Sequence, residues 1–464
     1  MSLALLLVVA AGALVCISDF RKGIVLIAAA GLLQDLVRKL APGQPAHLMG
    51  LVFVAFAATL VGALVPNSHR WWRRKDWSSL RGPLGLFAIV LGVQAFVSYV
   101  RVGSLILIGV GFAAWAGPMA ALVVGSWAGE VGRTVHRFLW VYVALVTAMA
   151  SGIVLYQGGY RWPSLMSVGP GLVVYDLELG AIYLPPGFFR APEIASWHCA
   201  TAACVAITLA AARKASPESW AAFGSLAVFL SWCVVVTGRR KALGEIVIFL
   251  ALFALLQVWL RGRIGRFGGA LVMTVVIGVF AMQNYGLRER ATGQIGSMRE
   301  RSEVAGGTAG RFLGGVTSIP RIVELAGVLG TGLGTGTQGA QHFRSEGESW
   351  SAVSESGLAR LVAELGVPGA AVAIVLLFRF AKGLWKRAPA VRRLVEADSA
   401  VLLGLVAVLG ANAVVFVSAH QIFGDPFVYI FLGLAAGFVV AGLDEEGRAA
   451  WRRQHLDAAL RRAA

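Results

Sequence analysis

The sequence predicts an all-α fold: a polytopic transmembrane helix bundle of about 12–14 spans with one large segment outside the membrane. Three observations predict it. Only 14% of the residues are charged and 58% are hydrophobic, against roughly 25% charged in a soluble domain. Apolar runs of about 20 residues, the length that crosses a ~30 Å hydrocarbon core, recur along the whole chain. Lysine and arginine collect in the loops on one side of these runs, the bias of cytoplasmic loops.

Thirteen candidate spans lie near 2–18, 23–37, 46–65, 82–98, 103–125, 137–157, 193–211, 220–237, 242–260, 268–283, 357–378, 400–418 and 426–442. The first has no basic region before it and no clear small-residue cleavage site after it, so it reads as a retained span. The second is short, and Gly117-Pro118 interrupts the fifth, so the count can shift by one either way. The formal charge of +17 would point to nucleic acid in a soluble protein. Here basic residues flanking spans account for it, with membrane lipid as the partner and no nucleic acid expected. Cys16, Cys199, Cys204 and Cys233 lie in apolar runs without metal-ligand spacing, and they read as buried free thiols.

The basic loops at Arg70–Lys75, Arg213-Lys214, Arg261–Arg266 and Lys382–Arg393 all fall on one side, taken as cytoplasmic. The organisation is then a bundle over 1–283 with an outer loop at 158–192, a large outer segment at 284–356, C-terminal spans over 357–442, and a basic cytoplasmic tail at 443–464. In that tail Trp451, Leu456 and Leu460 alternate with arginines as in an interfacial helix. The large outer segment is too long for a connector. Its stretch 311–329 shows apolar residues at helical spacing, with Pro320 expected to bend or break it. Seven arginines there are matched by seven glutamates, so most pairs should be weak surface ion pairs. Arg288 stands apart because it closely follows a span.

Several residues depart from the pattern. Arg239, Arg240 and Lys241 fall between two spans on the outer side, against the basic-inside trend. An anionic ligand would explain them, since guanidinium forks match phosphate oxygens; simple snorkelling to the interface is the plainer explanation. Gly330–Gly336 alternates glycine with threonine and leucine, but lacks the Gly-Lys-Ser/Thr of a nucleotide loop. Close backbone approach is the preferred reading, with a backbone-NH nest as the other. Titratable groups near spans on the outer side include Glu193, His342, Glu355, His420 and Asp425, and His198 lies a turn inside a span. Glu355 opens the run 356–366, which carries Arg360 and Glu364. A carboxylate entering a span is costly unless paired or facing a polar cavity.

Three segments resemble the bacterial O-antigen ligase and O-antigen polymerase family. They are Pro186-Gly187-Phe188-Phe189-Arg190-Ala191-Pro192-Glu193, then Thr237-Gly238-Arg239-Arg240-Lys241-Ala242-Leu243, and finally Gly310-Arg311-Phe312 with the glycine-rich stretch and Glu364-Leu365-Gly366-Val367-Pro368-Gly369. The resemblance covers roughly 180–380. It implies an inverting, metal-independent transfer from an undecaprenyl-pyrophosphate-linked glycan to a hydroxyl of a second glycan or lipid-linked acceptor, at the periplasmic face of the inner membrane, without a cofactor. Where the ligases carry His-Asn, this chain has Glu355-Ser356, which favours a polymerase over a ligase. The catalytic candidates are therefore Glu355, with His342 in reserve. The candidates for holding pyrophosphate or glycan are Arg190, Arg239, Arg240, Arg288, Arg311, Arg360 and His420. A transporter or flippase is the alternative of another class; it would show internal repeats and ionisable residues in mid-span.

Overall fold

A computed structural model describes residues 3–73, 78–128, 132–168, 173–176, 180–213, 217–262, 316–336, 356–419 and 422–443, with single positions at 268, 269, 271 and 314. Within these, the first half of the chain forms α1 (Leu3–Ser18), α2 (Phe20–Leu40), α3 (Leu51–Arg73), α4 (Ser78–Val102), α5 (Leu105–Trp127) and α6 (Arg133–Gln157). After a short hairpin come α7 (Pro192–Ala212), α8 (Pro217–Val236), α9 (Arg240–Arg261), α10 (Ile319–Ala326), α11 (Gly357–Arg387), α12 (Glu396–Ser418) and α13 (Pro426–Gly442). The hairpin, β1 (Val173–Asp176) against β2 (Gly180–Tyr183), pairs Val173 with Tyr183 and lies in the 158–192 segment.

Among the described residues, nine helices are long and apolar enough to cross a membrane, and two shorter apolar helices join them. Each run in the sequence except 268–283, which lies largely outside the described residues, falls on one of these helices or on α2. The chain is a multi-pass helical membrane protein. The fifth run is one helix: α5 passes through Gly117-Pro118 without a break, as membrane helices tolerate when neighbours re-satisfy the freed backbone groups. Pro320 marks a break: a turn at Ser318 separates helical residues 316–317 from α10. Pro320 sits in the first turn of α10, where its missing N–H costs nothing.

Helix ends follow local chemistry. Asp19 caps α2 by accepting from the backbone N–H of Arg21 at 3.1 Å. Ser104 caps α5 through Leu107, and Asp425 caps α13 through Phe427 at 2.7 Å and Val428 at 3.1 Å. Each supplies an acceptor to a backbone donor that the helix itself leaves unmet.

Small residues set the packing. Every residue of α7 except Glu193 is buried, and most are alanine, serine, threonine or cysteine. Such side chains let helix backbones approach closely where lipid gives no hydrophobic drive between helices. The contact between α5 and α13 is closer still. A Cβ placed on Gly437 would lie 2.3 Å from the Leu122 carbonyl oxygen, and one on Gly433 2.4 Å from that of Pro118.

The helix ends sort onto two faces. On one, Arg261 at the end of α9 donates to the Leu394 carbonyl, and Arg392 donates back to Leu260; this face carries the basic loops. On the other, the end of α2 meets the 158–192 segment, where Lys39 Nζ donates to the carbonyls of Gly187 at 2.7 Å and Ser164 at 3.2 Å. The starts of α7 and α9 and the end of α12 share that second face: Arg239 pairs with Glu193, and Lys241 donates to the Ser418 carbonyl at 2.6 Å.

Candidate functional site

Three groups of charged side chains are built on the face opposite the basic loops. The first surrounds Arg190. Its backbone N–H and its Nη1 both donate to Asp35, at 3.1 and 3.3 Å, and Nη1 also bonds Asp425. Both carboxylates are almost completely buried. Burial opposes the charge on Arg190, but Asp425 and Asp35 outweigh it and hold the guanidinium above its ordinary pKa. A single arginine thus ties the approach to α7 to α2 and α13. With two carboxylates on it, Arg190 orders this face.

The second group is at the start of α9. Gly238 adopts a left-handed φ of 68°, and the chain turns there from α8 into α9. Arg239 pairs with Glu193, in the first turn of α7, and Arg240 lies half-buried beside it. Glu193 is only three residues past Arg190, so these two groups are neighbours around the start of α7.

The third group centres on Glu364, which is fully buried. Four donors converge on its carboxylate: Trp115 Nε1 at 2.7 Å, Arg360 Nε at 3.0 Å, and the backbone N–H groups of Gly336 at 3.0 Å and Gly334 at 3.3 Å. The glycine-rich stretch therefore is a backbone nest, but its anion is a side chain of the protein. Gly334 has φ +82°, and a Cβ there would lie 2.1 Å from the Leu107 carbonyl oxygen, so only glycine fits. α11 breaks beside it at Gly366, with φ 69° and ψ 177°. Gln94 spans the break by donating to the carbonyls of Leu329 and Leu365. The Glu364–Gly369 sequence is thus a break that lets the 328–336 stretch pack into the bundle.

Arg360 also faces a cavity of about 380 Å³ between α4, α5, α11, α12 and α13. Phe87, Met119, Leu361, Leu377 and Phe416 contribute to an overwhelmingly apolar wall. Polar atoms come from Arg360, Trp115, Asn412 and Tyr429, the last about one turn along α13 from Asp425. Arg360 lies over the Trp115 ring, 5.6 Å from its centroid, a cation–π distance. Its Nη2 is buried and has no hydrogen-bond partner among the described residues.

Of the residues proposed from sequence, Arg190, Arg239, Arg240 and Arg360 are therefore placed on or near one face. Glu355, His342, Arg288, Arg311 and His420 lie outside the described residues. Arg360, five residues after Glu355, bonds Glu364 through Nε. The sequence reading missed a buried polar network behind the cavity. Thr201 Oγ1 and Asn412 Nδ2 both donate to Glu245 Oε1, at 2.7 and 3.0 Å, and Trp197 Nε1 donates to Asn412 Oδ1 at 2.6 Å. Glu245 is fully buried, and its Oε2 has no partner among the described residues. The signal was present: Glu245 interrupts an apolar run five residues after Arg240, inside α9 and not at its end. All four cysteines are free and buried. No protein-family model matches this chain, and no curated protein matches it either.

Proposed function

We propose that the protein is a membrane glycosyltransferase that polymerises undecaprenyl-pyrophosphate-linked oligosaccharide units on the face opposite its basic loops. The observation that carries the reading is the apolar cavity with Arg360 in its wall, an Nη2 of that residue left without a partner. A prenyl chain matches the apolar wall, and a pyrophosphate matches a guanidinium donor. Arg239 and Arg240, at the start of α9 on the same face, supply further cations for the leaving group.

In the proposed reaction a hydroxyl oxygen of the acceptor glycan attacks the anomeric carbon of the donor. The bond from that carbon to the lipid pyrophosphate breaks, the configuration inverts, and the hydroxyl proton passes to a base. Glu355, with His342 in reserve, is the residue assigned to orient the hydroxyl and take its proton. Arg190, engaged by Asp35 and Asp425, serves to order the face on which the ligand would lie.

The test is incubation of the purified protein with an undecaprenyl-pyrophosphate oligosaccharide, with products read by mass. A ladder of repeat units is expected. Transfer to an added acceptor without a ladder would make the protein a ligase. Intact donor in both cases, with the protein folded, overturns the transferase reading and favours a transporter of lipid-linked glycan. Glu355→Gln should lower turnover roughly 10²-fold or more while leaving donor binding in place. A folded variant with full activity removes Glu355 as the base.

A further inference from the structure

We infer that the ends of α9 and α11 on the basic face form a binding site for the headgroup of an anionic phospholipid. The inference does not depend on any sugar chemistry. Past its break at Gly366, α11 is apolar as far as Phe378. The helix continues to Arg387, so its last two turns project through the headgroup layer. Arg379, Lys382 and Lys386 fall there at i, i+3 and i+7, on one side of the helix, and all three are exposed. Trp385 stacks on Trp259 of α9, with ring centroids 4.4 Å apart and planes 18° from parallel. Indoles favour this depth of a bilayer, and the stacked pair makes a flat wall between the two helix ends.

The arginines at the site are positioned by carbonyls. Arg392 donates through Nε to Leu260 at 3.2 Å and through Nη2 to Trp259 at 3.4 Å, and Arg261 donates through Nη1 to Leu394 at 3.2 Å. These bonds fix the guanidinium groups without neutralising them. Along the chain, 246–288 and 365–395 contain no aspartate or glutamate, and Glu396 and Asp398 follow at the start of α12. Positive charge held at the headgroup level between helices is the arrangement that takes anionic lipid. A lipid fits better than free phosphate because an apolar surface continues toward the hydrocarbon core. Leu255 lies one turn below Trp259 on the same side of α9, and Phe378 two turns below Trp385 on the same side of α11; they are 63% and 64% exposed. Acyl chains have a surface to lie on directly beneath the cations.

The experiment is native mass spectrometry of the full chain, released from detergent after mixing with dioleoyl-phosphatidylglycerol or dioleoyl-phosphatidylcholine. Several-fold better retention of the phosphatidylglycerol is expected. Lys382→Gln combined with Lys386→Gln should reduce that preference to near parity; these side chains are exposed, and the folded state survives their change. Arg392→Gln should reduce it as well. Arg101→Gln, at the end of α4 on the opposite face, should leave it intact. Equal retention of both lipids by the unaltered protein overturns the inference, as does a preference that survives both basic-face changes. Complete displacement of the lipid by millimolar inorganic phosphate would show a site for phosphate alone, which also overturns it.

Discussion

Glu364 and Glu245 are both fully buried inside membrane helices, yet they are held in opposite ways. Glu364 has a cation, an indole and two backbone N–H groups on its two oxygens. Glu245 has two neutral donors on one oxygen and, among the described residues, none on the other. The first organises backbone. It pins the glycine-rich stretch to α11 and α5, so its charge is part of the fold. The second lies among side chains of α7 and α12 and orders no loop. Burial alone therefore does not separate a structural carboxylate from one free to serve another purpose; the number and charge of its donors do.

The largest expected effect follows from the better-satisfied site. Glu364→Gln removes the counter-charge of the buried Arg360. Loss of one partner from such a pair costs about 3–5 kcal/mol. The four buried thiols provide the measurement, because a thiol-reactive dye labels them only as the protein unfolds on heating. Labelling should begin at a clearly lower temperature in the variant. An unchanged profile would mean that the Glu364 hub does not support the fold.

A smaller effect is expected from the loop that Glu364 holds. Gly334→Ala forces a Cβ against the Leu107 carbonyl at a positive φ. Backbone strain and overpacking of this kind each cost about 1–3 kcal/mol. The same thermal assay should place this variant between the unaltered protein and Glu364→Gln. A loss as large as that of Glu364→Gln would mean that the loop, and not the ion pair, is the main support.

The smallest effect belongs to Glu245→Gln. The amide oxygen still accepts from Thr201 and Asn412, and an unmet acceptor becomes an unmet donor. A change within about 1 kcal/mol is expected. Destabilisation as large as that of Glu364→Gln would break the comparison, because it would show that Oε2 has a charged or ordered partner. Normal stability combined with lost turnover would instead bring Glu245 into the chemistry.

The sequence carried the span pattern because twenty-residue apolar runs are a local property, and twelve of the thirteen runs became described helices. It also carried the close approach of the Gly330–Gly336 stretch, since alternating glycines with neither lysine nor a preceding strand argue for packing over nucleotide binding. The partners were not legible. Arg190 meets Asp35 and Asp425 across 155 and 235 residues, and nothing local in either segment marks the other. Glu364 was visible as a polar position in an apolar run and as the first residue of the Glu364–Gly369 stretch; its role comes from a loop 28–30 residues earlier and a tryptophan 249 residues away. Glu245 is a single carboxylate inside an apolar run, and its donors Thr201 and Asn412 lie 44 and 167 residues away along the chain.

The burial of α7 has a consequence for how the chain is made. It is the least apolar of the nine long helices, and protein covers it on every side. Its neighbours include α9 and α12, which are synthesised later, the second about 200 residues later. A nascent chain must therefore hold α7 in the membrane for most of that interval with its threonines and Trp197 facing lipid or the insertion machinery. Asn412, the partner of Trp197, arrives only with α12. Chains truncated near residue 395 should consequently be degraded faster in pulse-chase experiments than chains ending near 420. Equal half-lives would mean that α7 is sheltered before α12 emerges.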